Sequence, residues 1–207
     1  TTTGADGRYR FDQLRPGQYA VQEIQPREYF HGGQRVGSHG GDAGSADWIS
    51  AIQVPAGQAL TDYDFCELPA ARLSGYVFQD GELIRTLDGL PPSDIWDKHD
   101  GRRTPDDRPL AGVVLALRDA QTGLPVSSDR ALPGTYPSGV ITAQTDARGY
   151  YEFLGLPPGT YDVIEIQPPR LRDGLDTPGS TGGTAFNPNS AVDPQLRDGR
   201  GDYPLWD

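Results

Sequence analysis

Asp80, Asp94, Asp97, Asp100, Asp106 and Asp107 fall within one polar stretch of the 207-residue chain, and carboxylates at that density can do cation chemistry. Calcium takes six to eight oxygens at ~2.3–2.6 Å, so a segment folded back on itself could bring these side chains to one ion. Asp80, Asp97, Asp100 and Asp107 are the expected ligands and calcium the expected cofactor. The same residues read equally well as an acidic loop that stays solvated and binds nothing.

Other chemistry finds less support. His31, His39 and His99 stand apart, with no cysteine or second histidine at a zinc-type spacing, so no transition-metal site is expected. There is no Gly-x-Ser-x-Gly elbow, and Ser38-His39 sits in "VGSHGGDAGS", which reads as a flexible loop. The glycine-rich "GGQRVGSHGG" lacks the lysine and the following helix of a phosphate-binding loop. Arg200-Gly201-Asp202 spells an integrin-type tripeptide, but a chain rich in all three residues produces one by chance. Trp48, Trp96 and Trp206 could stack on a sugar, or could simply pack at strand edges. No catalytic residue is nominated, and the chain is read as a non-enzyme.

Composition narrows the class further. A net charge of −11 excludes a phosphate backbone as partner, because nucleic-acid binding needs a clustered positive field. Lys98 is the one lysine among 18 basic residues. With Cys66 alone, no intrachain disulfide forms. No run approaches the ~20 apolar residues of a membrane span, and the first 20 residues lack a signal-peptide core, so any export signal is expected outside this stretch. Glycine at 27 and proline at 19 punctuate the chain too often for long helices.

The elements that must position these residues show themselves through a repeat. "GRYRFDQLRPGQYAVQEIQP" at 7–26 returns as "GYYEFLGLPPGTYDVIEIQP" at 149–168, and an offset of 142 makes 22 of 65 aligned positions identical. Tyr9/Tyr151, Phe11/Phe153, Tyr19/Tyr161 and Val21/Val163 alternate with polar residues at period two, the signature of half-buried strands. Between them lies Leu-x-Pro-Gly, in which Pro fixes φ and Gly tolerates positive φ, so each copy is expected to be a β-hairpin with one aromatic face. Further strands are expected at 73–78, 47–54, 60–67, 111–118, 139–145 and 202–206, with surface loops at 80–109 and 170–190. Short strands between frequent turns imply an all-β class built of tandem Ig-like, prealbumin-like Greek-key β-sandwiches.

The expected organisation is the trailing half of one sandwich at 1–69 and a second, nearly complete one at 70–207, carrying an Asp-rich insertion at 80–109. Residues 1–69 contain no counterpart of 70–142, so their open face is expected to be covered by earlier polypeptide or by another copy of the chain, the latter giving a filament.

The order "LSGYVF … PLAGVVLALRDAQTG … TDARGYYEFLGLPPGTYDVIEIQP" resembles the B-type domains of serine-aspartate-repeat surface proteins and collagen adhesins, which are prealbumin-like β-sandwiches. The resemblance covers 71–168, with 3–67 matching the trailing half. It implies an extracellular or cell-surface spacer whose partners are neighbouring repeats of the same protein. Such relatives often carry an EF-hand-like calcium loop after the first strand. Here Asp100-Gly101 and Asp107 keep its later positions, while Trp96 and Lys98 occupy its first and third, where carboxylates belong. Some relatives also form a Lys–Asn isopeptide bond near the acid matched by Glu23 and Glu165. Strand 73–78 has no lysine, so no such bond is expected, and Glu165 is assigned a structural hydrogen-bonding role. The alternative function is a carbohydrate-binding or adhesive module using Trp96.

Overall fold

The computed structural model describes residues 1–81, 101–105, 107–169, 171 and 174–185. Among them the regular elements are β-strands and a single 3-10 turn, Ser128–Arg130. The chain divides into two compact units, Thr1–Ala70 and Ala71–Asp207.

The first unit contains β1 (Gly17–Gln22), β2 (Tyr29–Arg35), β3 (Asp42–Ser45), β4 (Trp48–Val54) and β5 (Asp64–Pro69). An antiparallel sheet runs in the order β1-β4-β3, and β2 pairs separately with β5. Its core is small: Ile49, Ile52 and Tyr63, with Val21, Val36, Ala43, Val54, Leu60 and Phe65 packed around them. Strict alternation would put Ile49 and Ile52, three residues apart, on opposite faces of β4. A β-bulge removes the conflict. Tyr19 lies opposite Ile52 but Val21 lies opposite Ile49, so β4 inserts one extra residue, and Ala51 adopts φ 54° there. Both isoleucines then face inward, 0% and 4% exposed.

The second unit contains β6 (Ala71–Tyr76), β7 (Phe78–Gln79), β8 (Arg108–Pro109), β9 (Val114–Asp119), β10 (Thr142–Gln144), β11 (Tyr150–Leu156) and β12 (Tyr161–Ile166). Its sheets are β10-β9-β12, β11-β6 and the short pair β7-β8. Leu115 and Leu117 of the first meet Phe153 and Leu156 of the second in one buried core with Val77, Val113, Val126, Ala131 and Ile141. This is the all-β sandwich expected from the strand pattern. The bulge device recurs: Phe153 pairs with Leu73 and Leu156 with Ala71, while Gly155 takes φ 61° between them. A Cβ on Gly155 would also lie 2.8 Å from Thr135 Oγ1, so this position excludes side chains on two grounds.

The repeated line is not a hairpin. In the second copy β11 pairs with β6 and β12 with β9, so consecutive strands belong to different sheets. In the first copy residues 8–12 form no strand, and β1 pairs with β4. The physical reason lies in Leu-x-Pro-Gly. A tight hairpin needs positive φ at its first central residue, which proline forbids, so the chain turns a wide corner instead. Nor does the glycine serve through positive φ, since neither Gly17 nor Gly159 adopts it. A Cβ on Gly159 would come within 3.4 Å of the Tyr161 hydroxyl, and glycine leaves that space for the ring. The hydroxyl then donates to Pro157 O at 2.6 Å, as Tyr19 donates to Arg15 O at 2.8 Å. Both are tyrosine corners, each bonding back four residues.

The remaining strands follow the sequence pattern closely. The segments 47–54, 111–118 and 139–145 contain β4, β9 and β10, whereas 73–78 divides into β6 and β7 at Val77. The strand expected over 60–67 starts only at Asp64, because Asp62 at φ 66° breaks the extended run. The strand expected at 202–206 lies outside the described residues. Removing the corner hydroxyl with Tyr161→Phe should cost about 1 kcal/mol of stability, the worth of one such bond. Equilibrium chemical denaturation checks this, as a lower midpoint with unchanged slope.

Candidate functional site

Two clusters of ionisable residues stand out, one in each unit. In the second unit, Asp80 follows β7 and Asp107 precedes β8, and the pairing of Phe78 with Pro109 and Gln79 with Arg108 holds these ends together. Asp107 Oδ1 accepts from the Gly81 amide at 2.8 Å, and its Oδ2 accepts from the Thr104 amide. Asp80 Oδ2 accepts from the Gly101 amide at 2.7 Å. Gly101, at φ 73°, is pressed against Leu175, where a Cβ would approach to 2.7 Å, and Arg103 stacks its guanidinium 4.1 Å from the Tyr76 ring centre.

Asp80 and Asp107 therefore act as staples across the neck of the Asp-rich loop. Their carboxylates satisfy amides that would otherwise be left without partners in part-buried surroundings. Of the four expected calcium ligands, these two come to the same neck, whereas Asp97 and Asp100 lie outside the described residues, as do Asp94, Asp106, Trp96, Lys98 and His99. As a donor set for calcium, the neck supplies carboxylate oxygens, which are ligands of the right kind.

The second cluster went unrecognised in the sequence. In the first unit His31 of β2 lies directly opposite Glu67 of β5, and the ladder slips immediately afterwards, with Gly33 opposite Cys66. Gly32 fits there because a Cβ would come within 2.7 Å of Cys66 O. Asp47, in the turn before β4 at φ 58°, places Oδ1 2.6 Å from His31 Nδ1. Glu23 emerges from the end of β1, and its amide donates to Asp47 O at 2.9 Å. Burial raises the Glu23 carboxyl above its ordinary range, and the Glu67 charge, a side-chain hydrogen bond shared with Glu67 and the Asp47 charge push it further, against a smaller lowering by His31. Glu23 matches Glu165 in the repeat; Glu165 is half-buried in β12 and faces Tyr151, whose hydroxyl is raised by burial, Asp176 and Glu165.

Chain spacing hid this group, since Glu23, His31, Asp47 and Glu67 come from four separate segments. A local hint was the His-Gly-Gly run, at which the β2–β5 ladder slips.

Comparison with known proteins adds identity to the geometry. Residues 97–173 match the family model SpaA, a prealbumin-like fold domain. The chain is 25% identical over 169 residues to serine-aspartate repeat-containing protein F of Staphylococcus epidermidis, covering 82% of this chain and 8% of that protein. It is also 25% identical over 162 residues to serine-aspartate repeat-containing protein D of Staphylococcus aureus strain Newman, covering 78% of this chain and 10% of that protein. The chain thus spans a tenth or less of the curated relatives it matches. No solved structure matches it. The resemblance drawn from the sequence, to a B-type prealbumin-like domain of serine-aspartate-repeat proteins, is borne out by these matches.

The staples have a measurable worth. Asp107→Ala removes the acceptor for two amides and should cost about 1–3 kcal/mol, the penalty for stranding part-buried donors. A thermal melt of the variant should fall below that of the native chain, and coincident melts would show that the neck carries no load.

Proposed function

We propose that the chain is a spacer segment of a large exported surface protein, holding other modules away from the cell, with neighbouring repeats as its partners and no catalytic task. The observation that carries this reading is which residues the repeat keeps. Beside the one acid Glu23/Glu165 and the neighbouring Gln25/Gln167, it keeps Gly7/Gly149, Phe11/Phe153, Leu14/Leu156, Pro16/Pro158, Gly17/Gly159 and Tyr19/Tyr161, residues of packing and corner type rather than chemical groups of a reaction. A module multiplied for mechanical length needs its packing unit copied and nothing else. The names of its relatives, serine-aspartate repeat-containing proteins, support the same reading. Among the described residues no helix is long and apolar enough to cross a membrane.

The finer proposal is that the loop stapled by Asp80 and Asp107 takes calcium, with Asp97 and Asp100 completing the site, and that the ion stiffens the neck. An adhesive role draws less support. Trp48, 39% exposed, opens β4 in register with Gln22 and Ser45, so it lies along a sheet rather than in a cleft.

Thermal melting of the full chain in calcium against chelator tests the ion: a rise of several degrees, absent in Asp107→Ala, is expected, and superimposable curves would remove calcium from the proposal. Titration against a panel of glycans should be flat, and saturable binding lost on Trp96→Ala would replace the spacer with an adhesin.

A further inference from the structure

The spacer reading makes no use of the cluster at His31. Three carboxylates, Glu23, Asp47 and Glu67, face one imidazole, and several of their oxygens lack what buried oxygens require. Glu23 Oε2 and Glu67 Oε1 are shut off from solvent and accept no hydrogen bond from an N–H or hydroxyl group, although the Glu23 and Glu67 carboxyls lie within hydrogen-bonding reach of each other. Asp47 Oδ1 is equally enclosed, with only the His31 ring nitrogen beside it. Buried carboxylate oxygens are paired or bound to metal in the great majority of proteins, because the unpaired state is so costly.

The geometry suits an ion. One ligand atom each from His31, Asp47 and Glu67 lies within 4.8 Å of the others. A point exists within about 2.8 Å of all three, so a sub-ångström contraction reaches the ~2.0–2.2 Å of zinc bonds to nitrogen and carboxylate oxygen. The ligands come from different elements and are held from behind. The Gln25 amide nitrogen donates to Glu67 Oε2, and Gln34 Nε2 donates to Ala43 O at 2.7 Å and Ser45 O at 2.8 Å, fixing the strand that leads into the Asp47 turn. Outer supports of this kind commonly orient metal ligands.

We propose that His31, Asp47 and Glu67 bind a divalent first-row transition ion, with Glu23 closing the site. The imidazole decides the class of ion. Calcium and magnesium select oxygen-only cages, whereas nitrogen mixed with carboxylate suits zinc and its neighbours. The site is separate from the Asp80/Asp107 neck and stands or falls independently of calcium there.

The test uses the full chain stripped with chelator and dialysed, titrated with zinc chloride by calorimetry and followed by thermal melting. A saturable zinc site is expected, with a higher melting temperature in the loaded chain. His31→Ala should weaken that site at least tenfold, and Gln25→Ala by about tenfold, the usual effect of losing an outer support. His39→Ala should bind as the native chain does, since that histidine stands beside Ser38 and Tyr63 instead. Cobalt(II) gives a readout independent of stability: its visible ligand-field bands should appear with the native chain and vanish in His31→Ala. Zinc that gives no saturable heat, or binds His31→Ala as tightly as the native chain, would overturn the proposal, as would zinc binding abolished by Asp107→Ala rather than by His31→Ala.

Discussion

A chain that passes from one sheet of a sandwich to the other must turn without stranding its carbonyls, and this corner is the constraint on which the rest of the structure depends. Proline supplies a fixed φ and no donor, glycine supplies room, and the tyrosine two residues later returns its hydroxyl to the carbonyl four residues upstream. Once the corner is set, β12 must leave β11 and find β9. The sandwich follows from that choice, since Tyr151 and Phe153 on one side and Leu115 and Leu117 on the other can then face one another. Bulges at Ala51 and Gly155 finish the task by bringing residues three apart onto the same inner face.

The two copies of the corner show how far local sequence reaches. Phe153 and Leu156 are 0% exposed, whereas their equivalents Phe11 and Leu14 are 46% and 44% exposed. The residue types are identical, and what differs is the opposing layer. In the second unit β6 pairs beside β11 and the β9 residues Leu115 and Leu117 pack against its inner face; in the first, the segment 8–12 has no ladder partner among the described residues and does not become a strand. Yet Tyr19 still closes its corner, because that bond spans only four residues and needs no second sheet. Local interactions survive where long-range ones are missing, as the hierarchy of loop-closure costs requires.

The same distinction separates what could be read in advance from what could not. The period-two alternation at 150–156 and 161–166 announced strands correctly, although it buries Phe153 and Leu156 only in the first of them, and Val163 of the second is 37% exposed. It could not name their partners: Leu-x-Pro-Gly reads as a turn whether the chain comes back beside itself or crosses to another sheet. Ala51 gave no warning of its bulge, since a positive φ at a non-glycine residue is imposed by the tertiary need to bury Ile49 and Ile52 together. The Asp-rich loop was legible as acidic, and the structure adds that two of its acids spend their oxygens on the amides of Gly81, Gly101 and Thr104. His31 stands apart from other ligand types along the chain because the register between β2 and β5, which no spacing encodes, is what brings Glu67 opposite it.

Acids in this protein are consequently of two kinds, and the difference is where their hydrogen bonds go. Asp119 and Asp146 are held below the ordinary carboxylate range by donors already in place, Asp119 chiefly by Arg130 and Asp146 chiefly by the Tyr150 amide, so both stabilise their turns while ionised. Glu23 moves the opposite way, raised by burial beside Glu67. A folded pKa above the unfolded one means stability is lost as pH rises through that window, so ionising this carboxyl opposes folding. Crowded beside Asp47, Glu67 and His31, with its Oε2 enclosed, it belongs to a group whose repulsion a positive charge from outside the chain would relieve.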